Sequence, residues 1–138
     1  MPTKTRNLFI SHAWRYSDRY EGVVGLLGRA PNFSWRNHSV PRHDPAIDPD
    51  TEFGRNRLIQ ALRDQIRGTH CVIVVAGMYV NARYWIRKEI EIANEWNKPL
   101  IAIRRRGQQR TPQELVTLAD QTVNWNSSSL VAAIREVC

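Results

Sequence analysis

Glu89 is the residue whose type and setting most invite chemistry. It closes the stretch Tyr84-Trp-Ile-Arg-Lys-Glu89, and helical spacing groups it with Trp85, Ile92 and Trp96, beside an inward stripe of Ile86, Ile90, Ala93 and Asn97. Glu91 instead shares a face with Arg87, Lys88 and Glu95, the pattern of a solvated charged surface. A carboxylate between two tryptophans must find hydrogen-bond donors or a positive charge, or its pKa rises until it neutralises. Such a group either caps a loop or pairs with an arginine, or is a charge kept for a reaction. The helix pattern alone leaves both open.

The other chemistry-bearing residues read more plainly. His38, His43 and Asp44 are of metal-binding type, but their spacing fits no familiar zinc site, and solvated loop residues with no metal are expected. Cys71 and Cys138 have neither metal-ligand spacing nor the arithmetic of a disulfide framework, so both are read as bystanders. A net charge of +7 and a pI near 10.1 raise the question of nucleic acid. The arginines are scattered, however, and the one dense group, Arg104-Arg105-Arg106 with Arg110, follows a strand-like segment without interleaved aromatics. It is read as a solvated loop, and no nucleic-acid partner is expected.

The elements that must position these groups follow from periodicity. The 138 residues suit one domain, 1–138. The longest apolar stretch, 72–80, falls far short of the roughly 20 residues of a membrane span. The opening Met-Pro-Thr-Lys-Thr-Arg-Asn lacks the apolar core of a secretory signal, so a cytoplasmic location is expected. Strands are expected at 7–11, weakly at 34–39, and at 70–76, 99–103 and 121–125. Helices are expected after a capping box at Ser17, Asp18 and Glu21, then at 52–67, 81–97, 111–119 and 130–137, the last capped by Asn126 and Ser127. Between the second strand and second helix, Pro41, Pro45 and Pro49 stand among Asp44, Asp48 and Asp50, a long loop of restricted backbone freedom. Glycines 22, 25 and 28 weaken the first helix unless close packing on the sheet compensates.

The unalternating β-branched segment 70–76 is the mark of a central parallel strand covered on both faces. Alternating strands and helices imply an α/β fold with a five-stranded parallel sheet in the flavodoxin-like order 2-1-3-4-5. A ligand would then bind beyond the carboxyl ends of strands one and three, where strand order reverses. Residues 11–14, the proline-rich loop and Gly77-Met78 meet at that crevice.

Four stretches in this order, Phe9-Ile-Ser-His12, Ser39-Val-Pro41 with His43-Asp-Pro45, Val74-Val-Ala-Gly77, and Tyr84 to Glu89, resemble TIR-like domains. The likeness is greatest to the bacterial branch that includes the signal-producing subunit of the Thoeris antiphage system. It spans residues 7–99, the remainder agreeing in layout. The resemblance implies a TIR-like three-layer sandwich with Glu89, four residues after Trp85, as catalytic residue. It implies substrate-binding roles for Phe9, Ser11, His12, Asp44, Gly77 and Trp85, with His12 standing where many TIR domains have tyrosine. One more residue than usual separates Tyr79 from Trp85, and no role is assigned between Met78 and Tyr84.

The implied reaction is cleavage of the nicotinamide–ribose bond of NAD, which is substrate rather than cofactor. A carboxylate near the ribose stabilises an oxocarbenium-like transition state, and nicotinamide leaves without an acid. Capture by water gives ADP-ribose; capture by the adenine end gives a cyclic isomer, the infection signal that Thoeris-type relatives make. The implied partners are NAD, further copies of the chain in weak or induced association, and a downstream effector that senses the product. The basic charge would draw in the anionic dinucleotide. Response-regulator receivers share the strand order but need acidic residues where this chain has Ala76-Gly77 and His12-Ala13-Trp14. Two alternatives stay open, a non-catalytic TIR-like interaction scaffold and a nucleoside deoxyribosyltransferase-like enzyme.

Overall fold

In the computed structural model, residues 5–11, 18–38, 51–76, 83–104 and 113–138 are described. Among them are strands β1 (Arg6–Ile10), β2 (Trp35–Asn37), β3 (Cys71–Val75), β4 (Leu100–Arg104) and β5 (Gln121–Asn124). The helices are α1 (Asp18–Gly28), α2 (Glu52–Arg67), α3 (Arg83–Glu95), α4 (Gln113–Leu118) and α5 (Ser127–Val137). The strands form one sheet in the order β2-β1-β3-β4-β5, every pair parallel, as the sequence pattern requires.

Chain direction then settles the layers. The step from β1 to β2 runs opposite to the steps from β2 to β3, β3 to β4 and β4 to β5, so right-handed crossovers put α1 on one face and α2, α3 and α4 on the other. In agreement, α2 packs on α3, and α5, which follows the last strand, packs on α1. All five residues of β3 are buried, and β1 and β4 bury Leu8, Phe9, Ile10 and Leu100 to Ile103 beside it. Burying side chains of this kind contributes about 1.5–3 kcal/mol each. Among the described residues no helix is long and apolar enough to cross a membrane.

Helix α2 has the expected bounds. Leu58, Leu62 and Ile66 are buried at a spacing of four, and the Thr51 side chain accepts from Gly54 N at 3.0 Å to cap the start. Helix α3 is shorter than expected. Asn97 takes φ 54°, a left-handed stop, and is exposed rather than part of the inward stripe. Helix α5 begins three residues early, at Ser127, because the Asn126 side chain accepts from Ser129 N at 2.7 Å. Strand β2 is reduced to three residues at the sheet edge, paired on one side only. The capping box at Ser17 and the proline-rich loop lie outside the described residues.

Two packing expectations are corrected. Gly22 is required by an aromatic ring rather than by the sheet: a Cβ there would lie 2.6 Å from Cζ2 of Trp125. Cys71 and Cys138 are not bystanders but form a disulfide, with Cα atoms 5.9 Å apart. Helix α5 runs antiparallel to the strands, so its end returns to the edge where β3 begins. A separation of 67 residues hid that meeting from the sequence pattern.

Candidate active site

The sheet order reverses between β1 and β3, and open α/β sheets take their ligands beyond the carboxyl ends of the strands at such a point. The two strands stay zipped up to that edge, because Ser11 N, just past β1, still donates to Ile73 O at 2.8 Å. Ser11 is wholly buried, and its Oγ has no hydrogen-bond partner among the described residues. Phe9, one strand step earlier, is fully buried within the apolar core.

The second contribution comes from α3. Ile86, Ile90, Ile92 and Ala93 are buried on the side of α3 that packs against β3 and α2. Glu89 is carried in with them: it is 1% exposed, and its Oε2 is shut from solvent. Trp85, one turn earlier, is half-buried against the core, with Tyr84 edge-on to its ring at 5.2 Å. The side chain of Glu91 is 61% exposed and pairs with Lys88 at 3.5 Å, so the expected division of the two glutamates holds.

The expected second tryptophan wall does not. Trp96 lies beyond the end of α3, is 43% exposed, and carries the Arg67 guanidinium 5.9 Å above its ring. The helix stops at Glu95, so the stripe that would have turned Trp96 inward is broken before reaching it.

Of the expected site residues, Phe9 stands in the carboxyl half of β1 with Ser11 just past its end, and Trp85 and Glu89 stand on successive turns of α3. His12, Asp44 and Gly77 lie outside the described residues, as does His43 of the histidine pair weighed for a metal. Among the described residues no three histidine, cysteine or acidic side chains gather as a metal site. A cleft of about 240 Å³ lies between Ala30-Pro31 and Ser127, Val131 and Arg135, and it includes none of the expected site residues. Two contacts between elements had no signature in the sequence. Arg63 of α2 reaches Glu95 at 3.3 Å, tying α2 to the helix that bears Glu89, and Arg104 donates to Asn124 Oδ1 at 2.8 Å across the ends of β4 and β5. Both depend on register between elements, which one element's periodicity does not contain.

A parallel sheet in this order with helices on both faces defines a flavodoxin-like α/β domain, here with a carboxylate enclosed on the helix after the central strand. Residues 9–110 match the family described as Thoeris protein ThsB, TIR-like domain, and the chain belongs to that family. The solved structure of the Clostridium botulinum CMP N-glycosidase BcmB is similar at a TM-score of 0.49 and 10% identity, covering 94% of this chain and 99% of that one. No curated protein sequence matches the chain.

Proposed function

We propose that this protein consumes NAD, cleaving the nicotinamide–ribose bond with Glu89 as the carboxylate nearest the ribose. In this reading it releases a cyclic ADP-ribose isomer as a signal in antiphage defence. The observation that supports the reading best is a carboxylate 1% exposed, one helical turn after Trp85, in a member of the ThsB TIR-like family. Nicotinamide is cationic in NAD and departs neutral, so no general acid is needed; the demand falls on the positive charge left on the ribose. A carboxylate shielded from water meets that demand more strongly than a solvated one. Ser11 offers a buried hydroxyl to the ligand, Trp85 a ring face, and His12, Asp44 and Gly77 complete the set proposed to hold the nucleotide, whereas Phe9, 0% exposed, supports the end of β1 from within the core. NAD is the substrate, and no cofactor or metal is invoked. The cytoplasm is the proposed setting, with an effector that senses the product downstream.

Purified protein incubated with NAD, with products separated by chromatography and mass spectrometry, tests this. Wild type and Glu91→Gln should release nicotinamide at similar rates, whereas Glu89→Gln should lose at least about 100-fold. Equal losses in both variants, or none in Glu89→Gln, would sink the assignment. The mass of the second product separates hydrolysis from cyclisation. A second reading, a non-catalytic interaction scaffold, is favoured by exposed aromatic side chains at Phe53, Tyr84 and Trp96. It predicts association between copies with no turnover of NAD.

A further inference from the structure

The disulfide joins two places of unlike accessibility. Cys71 opens the central strand, lies in register with Leu8 of β1 and is 0% exposed, whereas Cys138 is half-buried at the end of α5. Their Cα separation of 5.9 Å falls within the range a disulfide spans without backbone movement. Other forces hold both backbones there. The sheet fixes β3, while α5 is docked through Leu130, Val131, Ala133 and Ile134, through Ser127 Oγ donating to Leu26 O at 2.7 Å, and through Arg135 donating to Asn32 O at 2.9 Å. Breaking the link therefore leaves the two sulfurs as neighbours, so that it can form again.

We propose that Cys71–Cys138 is a reversible thiol–disulfide latch, opened and closed at Cys138 by low-molecular-weight thiols and disulfides. To open it, a thiolate attacks Sγ of Cys138, the bond between the protein sulfurs breaks, and Cys71 leaves as a thiolate that takes up a proton. A second thiol then attacks the mixed disulfide, leaving Cys138 as a thiol and releasing the small-molecule disulfide; two electrons have passed to the protein. Closing is the reverse, with the small-molecule disulfide as oxidant. The end of α5 is thus fastened to the central strand in an oxidising setting and released in a thiol-rich one.

The full chain, equilibrated with oxidised glutathione or with dithiothreitol, is alkylated with iodoacetamide and its mass measured. The oxidised protein should take up no label. The reduced native protein should take up label at Cys138 at least tenfold faster than at Cys71, and unfolding in reductant should expose both. Two reactive thiols after treatment with oxidised glutathione, or equal labelling rates in the reduced native protein, would overturn the latch. Melting provides the second measurement. Reductant should lower the Tm of wild type to that of Cys138→Ser and leave the variant unmoved, and a shift of equal size in both would assign the effect elsewhere.

Discussion

Two carboxylates on α3 stand two residues apart in opposite surroundings, Glu89 shut away at 1% exposure and Glu91 in water beside Lys88. The amide of Glu89→Gln has the shape of the carboxylate without its charge, so the substitution removes a desolvation cost along with any favourable pairing. Folding should survive, and a circular-dichroism melt of Glu89→Gln should separate loss of chemistry from loss of structure. Gly22 is the residue-scale test of packing. An added Cβ would gain about 1 kcal/mol of helix propensity but meet the half-buried Trp125 ring at 2.6 and 3.0 Å, so that the indole or the helix has to shift. Gly22→Ala should therefore lose about 1–3 kcal/mol net in urea denaturation. At Gly28 a Cβ meets nothing within 4 Å, and Gly28→Ala should be neutral or stabilising. Equal stability in the two variants would refute the claim that Trp125 selects glycine at position 22.

At the scale of elements, α5 depends on its cap. Asn126 accepts from Ser129 N, and the adjacent Ser127 fastens the first turn to α1. Asn126→Ala should cost about 1 kcal/mol and lower the Tm by a few degrees, while Asn126→Asp, whose carboxylate accepts the same bond, should retain most of that stability. Equal losses would mean that the cap contributes nothing. This cap was legible in the sequence, as were the bounds of α2, because both rest on residues within a few positions of one another. The sheet order was legible for a related reason: a strand buried on both faces has to be central, and alternating helices make it parallel. The pairings of Trp125 with Gly22, Arg67 with Trp96 and Cys71 with Cys138 were not legible, since each depends on where two distant elements come to rest. The candidate site divides along the same line. The opposed faces of Glu89 and Glu91 follow from helical period alone, whereas the solvent exposure of Trp96 depends on where α3 stops.

For the whole molecule, charge and exposed aromatics pull in opposite directions. Phe53, Tyr84 and Trp96 are 74%, 50% and 43% exposed, all on or just beyond α2 and α3, and each has a cation over its ring: Arg57 at 5.9 Å, Lys88 at 5.8 Å and Arg67 at 5.9 Å. Such a surface offers apolar area to another copy, but each copy also brings a net charge of +7. Repulsion between like charges is screened by salt, the Debye length falling from about 30 Å at 0.01 M to about 8 Å at 0.15 M. Association of copies should therefore strengthen as salt rises, the reverse of an interface built on opposite charges. Binding of the anionic dinucleotide proposed as substrate should weaken over the same range. Sedimentation velocity between roughly 0.02 and 0.5 M sodium chloride should show the average mass rising with salt and with protein concentration. Phe53→Ser and Trp96→Ser should blunt that rise. If turnover requires neighbouring copies, the rate per molecule at saturating NAD should rise in parallel, while the KM for NAD moves upward with salt. A chain that stays monomeric throughout and keeps its full rate on dilution would separate catalysis from association and leave the aromatic surface to a different partner.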